Sequence, residues 1–180
     1  MALPTYQIQP QDITDTGIKY FFISKGPNDV IKAVEYFYFT DYNDRRVYNL
    51  GFGDYVVEKD EIDDRINTDN GDAYYVFNTV LNTVPEFFNS FADAAVIVRG
   101  SDSSNEFEEE CRKTCKRKNC EGSCRKRHQR IRTYCSYVSR EYYSLIQTYD
   151  FFGGFETEDG TVIERFIKNK SYHSVLLVRK

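Results

Sequence analysis

Four thiols and an imidazole stand in one short strip: Cys111, Cys115, Cys120, Cys124 and His128, spaced Cys-x3-Cys-x4-Cys-x3-Cys-x3-His. Zn²⁺ takes four sulfur or nitrogen ligands in a tetrahedron, and short loops between ligand pairs suit that geometry. The Lys and Arg residues around the cysteines favour the thiolate form that binds metal. The common Cys-x2-Cys knuckle is missing, and the i, i+4 step from Cys111 to Cys115 instead suits adjacent turns of a helix. Three readings stand: a structural zinc site with His128 able to replace one thiolate, a pair of disulfides, or free thiols on an insert. A zinc site of this kind is closed, since four protein ligands leave no position for water. The fifth cysteine, Cys135, lies on an apolar helical stripe and reads as core.

The same strip is strongly basic. Residues 111 to 132 hold ten Lys and Arg and one acid, Glu121, a charge of +9, so the formal -4 of the 180-residue chain leaves -13 for the remainder. An acidic run, Glu106, Glu108, Glu109 and Glu110, precedes it. Such asymmetry points to a polyanionic partner, RNA or DNA, met through Lys116, Arg117, Lys118 and their neighbours, or else to a strip folded against the acidic residues. No aromatic residue lies between Phe107 and Tyr134, so the expectation is contact with phosphates rather than base stacking. Arg127, Arg130 and Arg132 open a helix, where cations oppose the helix dipole and call for an anion.

A third group is Gly100-Ser101 with Arg130, Arg132 and Tyr134. A Gly-Ser after a buried strand offers backbone N–H groups and a hydroxyl to a phosphate, and the arginines can clamp one bidentately. An enzyme acting on nucleic acid or a nucleotide would use these four side chains. The carboxylates of Asp54 to Asp72 fit no EF-hand, since Ile66 and Thr68 fall at ligand positions. There is neither a Gly-x-Ser-x-Gly elbow nor a Walker loop.

The elements that position these groups follow from periodicity. Residues 18–25, 30–40 and 46–57 are aromatic and β-branched and read as strands, separated by turns at Gly26-Pro27 and Asp41-Tyr42-Asn43-Asp44. Gly51 and Gly53 suggest a bulge or close backbone approach in the third strand. The stretch 58–72 reads as a loop. Phe77, Val80, Leu81, Val84, Phe88 and Phe91 trace a helix that Asp72 can cap and Pro85 should kink or restart. Residues 94–99 form a short buried strand. Ile131, Tyr134, Cys135, Val138, Tyr142, Leu145, Ile146 and Tyr149 trace a second helix ending near Gly153-Gly154. Strands 161–168 and 172–179 close the chain. The expected fold is a single α+β domain over 1–180: an antiparallel sheet of five to six strands with two long helices on one face, in the order β-β-β-α-β-α-β-β. Residues 104–129 form a Cys-rich basic insertion within it.

Several short motifs recur in this order elsewhere: Tyr20 to Gly26 (YFFISKG), Lys32 and Val34, Gly51-Phe52-Gly53-Asp54, Asn70-Gly71-Asp72, Thr79-Val80 with Phe88, Gly100-Ser101, and Arg130, Arg132 and Tyr134. Over roughly residues 18 to 165 the chain resembles an uncharacterised family of small bacterial α+β proteins, a domain of unknown function. The resemblance implies a domain of about this size and no established activity. In that pattern the Gly-Ser is followed closely by Arg-x-Arg-x-Tyr; here the acidic run and the Cys-rich strip separate them.

The expectation is a non-enzymatic binding module that contacts a polyanion through a zinc-stapled basic insertion. An enzyme built on Ser101, Arg130, Arg132 and Tyr134, of the toxin or defence type, is the first alternative, and a protein-interaction module the second. Proteins of this size occur in bacterial stress, toxin–antitoxin and phage-defence settings, which is association rather than physics. No apolar run reaches 18 residues and the N-terminus shows no basic and apolar signal pattern, so the expected setting is the cytoplasm, away from membranes.

Overall fold

A computed structural model describes residues 4–11, 13–64, 70–115 and 124–180, in two compact units, Met1–Val96 and Ile97–Lys180. The first contains β1 (Gln9–Pro10), β2 (Gly17–Ser24), β3 (Val30–Tyr42), β4 (Arg45–Val56), β5 (Glu61–Asp63) and the helix α1 (Ala73–Ser90). Strand β6 (Ala95–Arg99) carries the chain into the second unit. There a 3₁₀ turn (Ser101–Ser103) precedes α2 (Asn105–Thr114), α3 (Gln129–Leu145), β7 (Tyr149–Thr157), β8 (Gly160–Arg165) and β9 (Ser174–Arg179).

The fold is α+β with antiparallel strand pairing, as expected, but the described residues hold nine strands and three α-helices rather than five to six strands and two. The order is β-β-β-β-β-α-β-α-α-β-β-β. Each difference has a local cause. Strand β1 is two residues long and β5 three, too short for a periodic signal. Strand β5 forms inside the acidic stretch expected to be a loop, pairing Ile62 with Tyr55 and Asp63 with Asp54. Helix α2 occupies the start of the segment expected as an insertion, capped by the Ser104 hydroxyl, which accepts from the Phe107 N–H. Tyr149 opens β7 rather than closing α3.

In the first unit β2, β3 and β4 form a meander. The Asn43-Asp44 turn has positive φ at both residues (48° and 60°), the left-handed pair that matches strand twist in a two-residue hairpin. Alternation sends Ile18, Tyr20 and Phe22 to the buried face, opposite Tyr36, Val34 and Lys32 of β3. Helix α1 packs there with Val80, Thr83, Val84, Phe87 and Phe88. Tyr36 and Phe87 stack at 4.3 Å between ring centroids, and the Tyr36 and Thr83 hydroxyls pair at 2.8 Å. The helix runs through Pro85 without a break. Burying Phe87 and Phe88 beyond it contributes about 1.5–3 kcal/mol each, enough to offset the roughly 3 kcal/mol that an interior proline costs.

Asp72 precedes α1 but its side chain does not cap it. Its carboxylate accepts instead from the hydroxyls of Tyr6 (2.8 Å) and Ser24 (2.6 Å), while the Asn70 amide donates to Ser24 Oγ and to the Asn28 carbonyl. These long-range bonds tie the N-terminal segment, the end of β2 and the start of α1 together. Gly53 marks a close approach: a Cβ there would lie 2.6 Å from the Asp63 carbonyl oxygen of β5. The register shift sits elsewhere, between Tyr38 and Thr40 of β3.

In the second unit β7 pairs with β8 on one side and β9 on the other. Gly153-Gly154 therefore lies inside a strand, not after a helix. The reason is contact: a Cβ on Gly153 would meet the Tyr172 ring at 2.1 Å, and one on Gly154 the Ser174 hydroxyl at 2.2 Å. Helix α3 buries Ile131, Tyr134, Cys135 and Val138 at i, i+3, i+4 and i+7.

Lys32 and Asp54 form an ion pair on the buried face of the first unit, each over nine-tenths buried. A buried charge stripped of its partner destabilises by about 3–5 kcal/mol, whereas replacing both members with apolar residues is close to neutral. Asp54→Leu and Lys32→Met singly are each expected to lower urea stability by that order, and the double variant to lower it by less than either. A double variant as unstable as the sum of the singles would contradict this account.

Candidate functional site

The residues singled out for phosphate contact converge, in part, at the start of α3. His128 precedes the helix in a left-handed conformation (φ 61°), a strained setting for a non-glycine residue. What holds it is Asp102, in the 3₁₀ turn. The Asp102 carbonyl accepts the His128 N–H at 3.1 Å, and its carboxylate accepts the Arg130 N–H at 2.9 Å. Asp102 is only 5% exposed. The anion that three arginines call for at a helix N-terminus is thus supplied, at least once, by the chain itself.

The 28 residues between Ser101 and Arg130 do not separate them: the Arg130 guanidinium donates to Ser101 Oγ at 2.6 Å. Arg127 is engaged three times, with the Ser103 carbonyl (3.3 Å), the Asn105 side chain (2.9 Å) and Glu108 (2.7 Å). Glu108 also accepts from Arg112 at 2.6 Å. Part of the acidic run therefore neutralises part of the basic strip. Arg132 does not join Arg130; its guanidinium donates to the carbonyls of Arg125 and Arg127, closing the turn before the helix. Tyr134 is buried on the packed side of α3. Lys116, Arg117, Lys118 and Cys120 lie outside the described residues.

The thiols divide. Cys111, on α2, has the Cys124 and Cys115 thiols near enough to perturb its own. Burial, then the neighbouring Cys124 thiol, pushes the Cys111 thiol up to about 11. Cys111, Cys124 and Cys135 are in no disulfide. His128 stands apart from these thiols, its ring stacked on His173 at 5.8 Å, with Nδ1 buried and without a partner. Burial, then the Arg127 charge and His173, holds its imidazole below the ordinary histidine range. His173 is fixed by the Glu156 N–H, which donates to its Nδ1 at 2.9 Å. Among the described residues, no three His, Cys, Asp or Glu side chains are grouped to hold a metal ion.

Asp102, Glu108 and His173 are the members of this site that spacing did not single out. The only signal for Asp102 was its place directly after Gly100-Ser101. Glu108 was visible as one of four acids, with nothing in the sequence to say which would pair. The first unit offers a different surface, a groove of about 580 Å³ lined by Tyr6, Gln9, Phe21, Ile31 and Tyr55 among others. Lys25 at that groove is paired with Asp29 at 2.5 Å.

The Glu108 pair carries a pH signature. Its hydrogen bonds with Arg112 and then Arg127 hold its carboxyl below the usual glutamate range. A carboxylate with a depressed value stabilises the fold above its unfolded value and loses that contribution as pH falls through the folded one. Glu108→Gln is therefore expected to lower Tm at pH 7, with the gap to the parent protein closing in thermal scans below about pH 4. A gap independent of pH would contradict the pairing.

Among the described residues no helix is long and apolar enough to cross a membrane. No curated protein and no solved structure matches the chain. A family model does match, over residues 2–106, so that it takes in the first unit and ends just beyond Ser101 and Asp102, short of the basic strip. With more than half of its length matched, the chain belongs to a family of unknown function, DUF6934.

Proposed function

We propose that the protein is a non-enzymatic binding module that contacts the phosphate backbone of RNA or DNA through the basic segment 111–132. The observation that carries this reading is the segregation of charge between the two units. Met1–Val96 holds 7 Lys and Arg against 16 Asp and Glu, and Ile97–Lys180 holds 17 against 12. A polyanion is repelled by the first and attracted to the second, and clustered cations release condensed counterions on binding.

The internal pairs refine which cations serve. Arg112 and Arg127 are partnered by Glu108, and Arg132 by backbone carbonyls. Their role is to shape the strip. Lys113 and Arg125 are exposed, and with Lys116, Arg117 and Lys118 they are the proposed phosphate contacts. Arg130, oriented by Ser101 at the start of α3, is the contact with fixed geometry. Nothing in this arrangement reads base edges, so the recognition is of backbone charge.

The test is a salt series of binding to a labelled oligonucleotide, followed by fluorescence anisotropy. The expected affinity falls steeply between 50 and 200 mM salt, with the slope reduced by about one for each phosphate contact removed. Replacing Lys116, Arg117 and Lys118 together by Gln is expected to flatten the slope, and Arg127→Gln to act through stability instead. An affinity that does not respond to salt, or a triple variant with an unchanged slope, would overturn the reading.

A further inference from the structure

We propose that the groove on the first unit is a binding site for a neutral oligosaccharide, held by a row of glutamine amides against two aromatic rings. The groove measures about 580 Å³, within the roughly 300–1,000 Å³ of small-molecule sites. One wall is the N-terminal segment. Gln9 of β1 pairs with Phe21 of β2, and the Gln11 N–H continues that pairing by donating to the Lys19 carbonyl at 2.9 Å. Alternation along this extended segment brings Gln7, Gln9 and Gln11 to the groove side, and all three are exposed. The floor is aromatic. Phe21 points away from the packed face that Tyr20 and Phe22 enter, and meets Tyr55 of β4 edge to face at 4.8 Å. Between them runs β3, where Phe21 is opposite Ala33, a side chain too short to keep the two rings apart.

The polar chemistry of the groove selects its ligand. A glutamine amide both donates and accepts, which matches a hydroxyl and gives a fixed charge nothing to neutralise it. The charged groups beside the groove are already paired: Lys25 with Asp29 at 2.5 Å, and Lys19 with Glu35 at 3.6 Å and with Asp60 at 3.4 Å. Asp60 also accepts from the Tyr55 hydroxyl at 2.7 Å. An ionic ligand would have to break one of these pairs. A sugar ring offers the complement without doing so. Its hydroxyl rim meets the amides, and its apolar C–H face lies on the negative face of an aromatic ring. Ile23 (46% exposed) and Ile31 (40%) extend the apolar floor. Addition of a peptide strand fits less well, since β1 is two residues long and one of them, Pro10, has no N–H. The site lies wholly within Met1–Val96, so it and polyanion binding by the basic segment can fail independently.

The test is saturation-transfer NMR of the full chain with neutral trisaccharides (cellotriose, maltotriose, xylotriose, mannotriose and N-acetylchitotriose), then isothermal titration with the strongest. The expected result is binding of at least one, with an affinity that does not change between about 50 and 200 mM salt because no charge is exchanged. Tyr55→Leu is expected to weaken it roughly tenfold and Gln9→Leu roughly fivefold. Gln9 is exposed, so its variant removes a contact without touching the core, and thermal unfolding checks that both variants fold. Silence from the whole panel at about 10 mM sugar would overturn the proposal. So would binding that both variants leave intact, or binding only of sulfated or uronate sugars that salt abolishes. An uncharged Thr/Val peptide that binds where no sugar does would overturn it in favour of strand addition.

Discussion

The second unit depends on a buried carboxylate. Asp102 accepts one N–H from His128 through its carbonyl and another from Arg130 through its side chain. A helix N-terminus leaves backbone donors without intrahelical partners, and burying such a donor unpaired costs roughly 1–3 kcal/mol. Asp102 meets that requirement from the far side of a 25-residue excursion and so fixes where α3 begins. Everything proposed for the site follows from that position. Ser101 meets Arg130 because it precedes Asp102, and Arg127 meets Ser103, Asn105 and Glu108 because they follow it.

The arrangement also explains how a segment with ten cations can be part of a folded unit. Some of its charge is converted into structure. Glu108 takes two guanidinium groups, and Arg132 donates to the carbonyls of Arg125 and Arg127. Exposed ion pairs of this kind are individually weak, but here they converge with a buried backbone contact on one short turn. What remains outward is a smaller and better-defined set of cations than the sequence total suggests.

Much of the fold was legible because period and polarity agree. The meander of β2 to β4 and the apolar faces of α1 and α3 follow from spacing. The failures come from tertiary contacts that override local signals. Asp72 looked like a helix cap and instead joins Tyr6 and Ser24, residues 66 and 48 positions away. Gly153-Gly154 looked like a helix stop and is strand, because Tyr172 and Ser174 fill the space that side chains would need. In the site, the Ser101–Arg130 contact joins two groups that stand 28 residues apart in the chain. The parting of Arg132 from Arg130 was not legible, since it depends on the carbonyls exposed by the turn at 125–127.

The central claim, that a buried Asp102 carboxylate holds the first turn of α3 and with it the ends of the basic segment, can be read at one amide. Native-state hydrogen exchange of the Arg130 N–H, in the parent protein and in Asp102→Ala, isolates that bond from the rest of the helix. The expected result is strong protection of Arg130 in the parent and at least tenfold faster exchange in the variant, with the amide of Val138 in the helix middle changing less. An Arg130 amide that exchanges at the unprotected rate in the parent, or one that is equally protected in both proteins, would contradict it.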